Sequence, residues 1–101
     1  MKPYSVVFAG TPQFSCSFLQ VLLEDENFSV KAVISQEDKP VGRKQIKQET
    51  AVKKLAKKYN TLIFQPKKIA DITKEIKKIA PDFLVVVAYG QIIPVDFLKI
   101  A

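Results

Sequence analysis

The sequence has no histidine and no tryptophan, one cysteine, three glycines and one arginine in 101 residues. Without histidine, no imidazole-based metal site or catalytic dyad can be assembled from these residues, and no metal is expected. Cys16 alone excludes an intrachain disulfide. No apolar run approaches the ~20 residues of a membrane span. Met1-Lys2-Pro3 leads directly into a strand-like run, not into a charged segment followed by a cleavable apolar one. The chain is therefore expected to be cytoplasmic, with no membrane partner and no evident obligate protein partner. Acidic residues are also scarce, with 10 against 16 basic ones for a formal charge of +6. That balance favours polyanions, but charge alone does not separate nucleic acid from a phosphorylated small molecule. With 48% apolar and 26% charged residues the composition is that of a folding chain. Its length makes it one domain or a piece of one.

What is present is an alternation of strand-like and helical patterns. Tyr4 to Ala9 is a short apolar, β-branched run closed by Gly10-Thr11-Pro12, as for a buried parallel strand followed by a helix start. Thr11 is expected to cap a helix from Pro12 to about Asp25, with Pro12 at its first position and Phe14, Phe18 and Leu22 along one face. Phe28 to Ser35 reads as a second strand. From Gln36 to Gln48 the periodicity vanishes, and the polar stretch is expected to be a long loop with a task of its own. Val52, Leu55, Ala56 and Tyr59 then mark a helix, Thr61 to Phe64 a third strand, and Ile69, Ile72, Ile76 and Ile79 another helix that Pro81 ends. Phe83 to Val87 is apolar on both faces and is expected to be central, and residues 95 to 101 begin a short helix. Short connections in this order predict an α/β, Rossmann-like parallel sheet of four strands in the order 3-2-1-4, with helices on both faces. The far edge of the fourth strand expects a further neighbour, which makes the unit look like the first part of a larger domain.

Gly10, Gly42 and Gly90 all lie at or beyond the carboxyl ends of expected strands, with Pro12, Pro40, Pro66 and Pro94 on the same side. In open α/β sheets that edge holds the site. Gly10-Thr11-Pro12 is neither a Walker motif nor G-x-G-x-x-G, so a dinucleotide is poorly supported; the turn either caps a helix or receives a phosphate, carboxylate or ribose hydroxyl on free N–H groups. Fifteen lysines accompany the single arginine, Arg43. A guanidinium in the long loop suggests a need for its planar fork, as for a phosphate or a stacked base. The lysines between 53 and 78 read first as a solvated surface. Ala88 to Pro94 either binds a flat heterocycle through main-chain groups and apolar walls, or simply connects a strand to a helix.

Taken together, Phe8-Ala9-Gly10-Thr11-Pro12-x-Phe14, Gln36-x-Asp38-x-Pro40-x-Gly42-Arg43, Phe64-Gln65-Pro66, Pro81-Asp82 and Val85 to Pro94 resemble the N-terminal part of the methionyl-tRNA formyltransferase family nearly end to end. The resemblance implies formyl transfer from 10-formyltetrahydrofolate to the amino group of methionyl initiator tRNA. It places the folate against Tyr89, Gly90, Gln91, Ile92 and Ile93. It places the loop containing Arg43, Lys44 and Lys47 on the tRNA acceptor arm, and Gly10, Thr11 and Pro12 near the methionyl-adenosine end. After Arg43 the sequence departs from the usual pattern of Gly, paired Lys and a Pro-Ser-Pro-like stretch, though Lys44 and Lys47 keep the charge.

Family members also continue past the position of Ala101 into an Asn-x-His segment, Ser-Leu-Leu-Pro and a later Asp, followed by a C-terminal tRNA-binding domain. The resemblance thus implies that residues 1–101 are the first part of a formyltransferase domain and contain no catalytic residue, so that the isolated chain is inactive. Two alternatives remain at this stage. One is another formyltetrahydrofolate user, a hydrolase or a glycinamide ribonucleotide formyltransferase, against which the Arg43 loop argues. The other is a non-catalytic basic module that binds nucleotide or RNA.

Overall fold

The computed structural model describes residues 2–101. Four parallel strands, β1 (Tyr4–Gly10), β2 (Phe28–Ile34), β5 (Ile63–Phe64) and β6 (Phe83–Val87), form one sheet in the order β5-β2-β1-β6. Counted among parallel strands alone this is the expected 3-2-1-4; the numbering differs because two further strands intervene in the chain. These are β3 (Lys39–Val41) and β4 (Ile46–Gln48), an antiparallel hairpin where an irregular loop was expected. Its short extended runs join through a four-residue tip, Gly42 to Gln45, in which Gly42 (φ 76°) and Gln45 (φ 52°) take left-handed conformations. Three residues per strand are too few for a periodicity to register in the sequence.

The buried part of β1, Val6 to Ala9, sits between β2 and β6 and sends alternate side chains to opposite faces. On one face Phe8 and Val33 pack with Cys16 and Leu19 of α1 (Gln13–Glu24) and with Val52 and Ala56 of α2 (Ala51–Lys58). On the other, Val7, Ala9, Ala32 and Ile34 meet Ile69, Ile76 and Phe97. Ile69 belongs to a 3-10 turn, Ile69–Ile72, that runs into α3 (Thr73–Ile79), and Phe97 to α4 (Val95–Leu98). Helices therefore cover both faces, and each fully buried Phe or Leu contributes roughly 1.5–3 kcal/mol by leaving water.

Three local expectations need correction. Helix α1 starts at Gln13 with Pro12 as its N-cap and no side-chain cap, because the Thr11 hydroxyl donates across the sheet edge to the Tyr89 carbonyl (2.7 Å) and is not available to the helix. The isoleucine-marked helix is split into 3-10 and α portions and ends at Ala80 in the left-handed region (φ 50°), just before Pro81. Where a central position is expected for β6, it pairs among the described residues with β1 alone. Its apolar character is explained by the two faces: Val85 and Val87 pack toward α1, and Leu84 toward the core beneath α3 and α4, while Phe83 and Val86 are exposed.

Asp82 fixes the start of β6. Its carboxylate accepts from the Ser5 N–H (2.8 Å) and hydroxyl (3.2 Å), joining β6 to β1 at the amino edge of the sheet, opposite the loops at its carboxyl edge.

Candidate functional site

The carboxyl ends of β1, β2, β5 and β6 release four segments that bond to one another. At the end of β1, Gly10 is buried, and a Cβ there would lie 2.8 Å from the Val87 carbonyl oxygen and 2.9 Å from Ser15 Cβ. The chain can turn this closely past β6 only because position 10 has no side chain. The Ser15 hydroxyl donates to the same Val87 carbonyl, locking the first turn of α1 to β6. Thr11 accepts the Val52 N–H on its own carbonyl (3.4 Å), bringing the start of α2 alongside. Helix α2 is capped by Thr50, whose hydroxyl accepts the Lys53 N–H (3.1 Å) and pairs with the hydroxyl of buried Ser35 at the end of β2.

An open cleft of about 320 Å³ lies between these parts, lined by Thr11, Pro12 and Gln13 on one side and by Lys39, Val41, Gln48, Glu49, Thr50 and Ala51 on the other. The uncapped first turn of α1 borders it, with no acidic residue in that turn. Helix N–H donors and a lysine suit an anionic or hydroxylated group there, and the Glu49 carboxylate on the same wall is already paired with Lys53 and Lys57. The hairpin register puts Lys39 opposite Gln48 and Val41 opposite Ile46, and Pro40 opposite Lys47. Lys39 and Val41 therefore share the face that lines this cleft. Lys47 is on the other face, where it borders a second opening of about 210 Å³ with Glu37, Asp38 and Gln65.

The hairpin's root is clamped by polar groups. Asp38 accepts from Gln65 Nε2 (2.7 Å) and Lys53 Nζ (3.0 Å). Lys53 also meets Glu49 (3.4 Å), which pairs with Lys57 (2.8 Å). The Gln65 hydrogen bond, with Lys53 beside it, holds the Asp38 carboxyl below its usual range, and Lys57 does the same for Glu49. The Asp38 hydrogen bond raises Lys53 in turn. From this root the hairpin projects outward, and every residue from Lys39 to Gln48 is exposed. Arg43 and Lys44 sit at the tip, and among the described residues neither they nor Lys47 form an ion pair. The charges of Arg43 and Lys44 are free for a partner, while Lys47 lies close enough to Asp38 to help hold its carboxyl down.

The segment after β6 is held differently. Ala88 (φ 52°) and Gly90 (φ 97°) are both left-handed, and between them Tyr89 turns its ring into the core, leaving it 2% exposed. Burial pushes the Tyr89 hydroxyl up, and that hydroxyl finds no hydrogen-bond partner among the described residues. The Tyr89 carbonyl accepts from both Thr11 Oγ1 and Gln36 Nε2. What this segment offers a flat ligand is thus the main chain of Gly90 and Gln91 and the side chains of Ile92 and Ile93, not the tyrosine ring. Ile92 is 95% exposed, Ile93 rests partly on the core, and Gln91 is tied to the Lys67 carbonyl (3.0 Å).

Of the residues singled out in the sequence, Gly10, Thr11, Pro12 and Tyr89 come together at the sheet edge, whereas Arg43 and Lys44 stand away from it on the hairpin. Reasoning from sequence did not single out Gln36, Asp38, Lys53 or Gln65 as site residues, yet they hold this edge together. Gln36 and Gln65 lie just beyond the ends of β2 and β5, the position at which a polar side chain in an α/β sheet warrants notice.

Residues 4–101 match the family model described as "Formyl transferase". The chain is 50% identical over 99 residues to a methionyl-tRNA formyltransferase of Lactobacillus gasseri, with 96% of this chain and 31% of that protein covered. Against the methionyl-tRNA formyltransferase of Caldicellulosiruptor saccharolyticus it is 45% identical over 98 residues, covering 94% of this chain and 32% of the relative. For the Mesoplasma florum protein of the same name the figures are 46% over 100 residues, 99% and 32%. The chain spans about a third of the length of these curated relatives.

Proposed function

The chain belongs to the formyl transferase family, and from that premise we propose that it forms the first part of a methionyl-tRNA formyltransferase. The protein transfers the formyl group of 10-formyltetrahydrofolate to the α-amino group of methionine on initiator tRNA, in the cytoplasm, at the start of translation. The observation that carries this reading is the unpaired basic hairpin standing beside the Thr11–Pro12 cleft. A transferase acting on a small amine has no need of such an arm, whereas a tRNA acceptor stem presents phosphates to it while the aminoacyl end reaches the sheet edge.

In this reading the residues divide the work. Arg43, Lys44 and Lys47 contact the acceptor arm, and Gly10, Thr11 and Pro12 flank the methionyl-adenosine end. Gly90 to Ile93 receive the folate through main-chain groups and apolar side chains, with Tyr89 holding the segment in place from beneath. The methionyl nitrogen attacks the formyl carbon, the bond from that carbon to the folate nitrogen breaks, and the proton lost by the amine ends on the departing folate. The groups that stabilise the oxyanion and move that proton lie outside residues 1–101, because family members carry an Asn-x-His segment and an Asp beyond this span. Residues 1–101 by themselves are therefore inactive.

The test is transfer by the intact protein that carries this chain. With 10-formyltetrahydrofolate as donor, formylmethionyl-tRNA should form, and glycinamide ribonucleotide should not be formylated. Formylation of glycinamide ribonucleotide, or hydrolysis of the donor unaffected by tRNA, would replace this reading with one of the other folate-dependent activities.

A further inference from the structure

Gln36 stands where the hairpin leaves β2, and three of its polar groups bond to three different segments of the edge. Its N–H donates to Thr11 Oγ1 (3.3 Å), its carbonyl accepts from Gln65 Nε2 (3.0 Å), and its side-chain Nε2 donates to the Tyr89 carbonyl (3.0 Å). The amide also fills the space behind Gly90, where a Cβ would collide with Gln36 Nε2. Gly90 is thus glycine for two reasons, its positive φ and the side chain packed against it. Two residues further along, Asp38 anchors the hairpin through Gln65 and Lys53. The same Gln65 amide holds both Gln36 and Asp38, so a displacement of the 88–90 main chain is passed to the hairpin root through one short path of hydrogen bonds.

We propose that Gln36 is a positioning residue that couples the 88–93 segment to the 39–48 hairpin, so that occupancy of the first orders the second. The proposal rests on the reading above for the identity of the two ligands. A folate lying along Gly90 to Ile93 restricts the main chain that Gln36 grips, and the hairpin then meets tRNA already ordered. Ordering by one ligand that lowers the cost of binding another gives positive coupling without any large movement. Gln36 need touch neither substrate.

Hydrogen exchange on the intact protein tests this, with 5-formyltetrahydrofolate as a folate probe that no acceptor consumes. In the wild type, adding the probe should slow exchange at least about fivefold both in residues 88–93 and in the hairpin amides. In Gln36→Glu, which keeps the backbone bonds but removes the donor to Tyr89, protection should remain at 88–93 and vanish from the hairpin. Gln36→Ala should behave the same way, and a melting curve for each variant establishes that the fold persists. Measured with tRNA, the gain in affinity caused by the probe should fall toward unity in both variants. Hairpin protection that persists in both variants, or a wild type protected at 88–93 alone, would overturn the proposal. No protection anywhere and no tRNA binding would instead overturn the functional reading, and the proposal with it.

Discussion

The hairpin and the segment after β6 leave the same edge of the sheet and are held by unlike forces. Residues 88–90 are fixed from within: Tyr89 is buried, two donors share its carbonyl, and Gly90 fits around Gln36. The hairpin is fixed only at its root, by Asp38, Lys53, Glu49 and Lys57, and is exposed from Lys39 to Gln48. Close packing tolerates little change in shape and is indifferent to salt, whereas partly exposed ion pairs are individually weak, screened by salt and sensitive to pH. A rigid wall suits a small flat ligand, and a charged arm anchored at one end suits a large polyanion.

The largest effect should come from breaking the packed side of this contrast. Gly10→Ala places a methyl group against the Val87 carbonyl and Ser15, where the backbone must shift; denaturant unfolding should show a loss of about 2–3 kcal/mol. Gly90→Ala should cost less, roughly 1–2 kcal/mol, since its strain is conformational and part of its collision is with a movable side chain. If Gly10→Ala melts like the wild type, the close approach at the top of β1 is not what fixes the turn.

On the charged side, the effect should appear in function and not in stability. On the function proposed above, Arg43→Ala in the intact protein should lower kcat/KM for methionyl-tRNA about 10-fold or more, leaving the apparent affinity for the formyl donor and the melting temperature nearly unchanged. Arg43→Lys should recover only part of this, because an ammonium keeps the charge and loses the fork. Full recovery by lysine, together with a defect that shrinks as salt is added, would reduce the role of Arg43 to phosphate attraction.

Smaller effects should follow from pH. The carboxyls of Asp38 and Glu49 are lowered in the folded chain, so their contribution is complete above the ordinary carboxylate range near ~4 and is lost as pH falls through their lowered values. Lys53 is raised, so its contribution is complete below its ordinary value of ~10.4 and is lost as pH rises through the raised one. Hairpin amide exchange, corrected for its intrinsic pH dependence, should therefore be flat between about pH 5 and 10 and faster at the acid end. The 88–93 segment, held also by the buried Tyr89, should loosen much less there. Equal acid loosening of both segments would show that their anchors are not distinct.

The smallest change belongs to Tyr89→Phe, which removes a buried hydroxyl without a partner among the described residues. Stability should be unchanged or higher by up to about 1 kcal/mol. A clear loss would reveal that this hydroxyl is satisfied in the intact protein by a group outside the described residues.

The parallel strands and their order were legible in the chain because β1, β2 and β6 are concentrated apolar runs and short connections leave few topologies open. The glycines and Arg43 stood out by scarcity alone. Other features were decided only by tertiary structure. Thr11 has the chemistry of a helix cap, but the Tyr89 carbonyl, 78 residues away, takes its hydroxyl. Tyr89 looked like a wall for a ligand, yet the left-handed turn at Ala88 and Gly90 sends its ring into the core. Gln36 and Gln65 stand in the sequence as members of motifs with no role attached, and they hold the edge together because the β2-β5 pairing sets them side by side. Composition and spacing act through neighbours along the chain, so they determined the parallel strands, the main helical segments and the charge. Which of several possible acceptors a hydroxyl or amide reaches depends on distances across the sheet, and those exist only once the chain has folded.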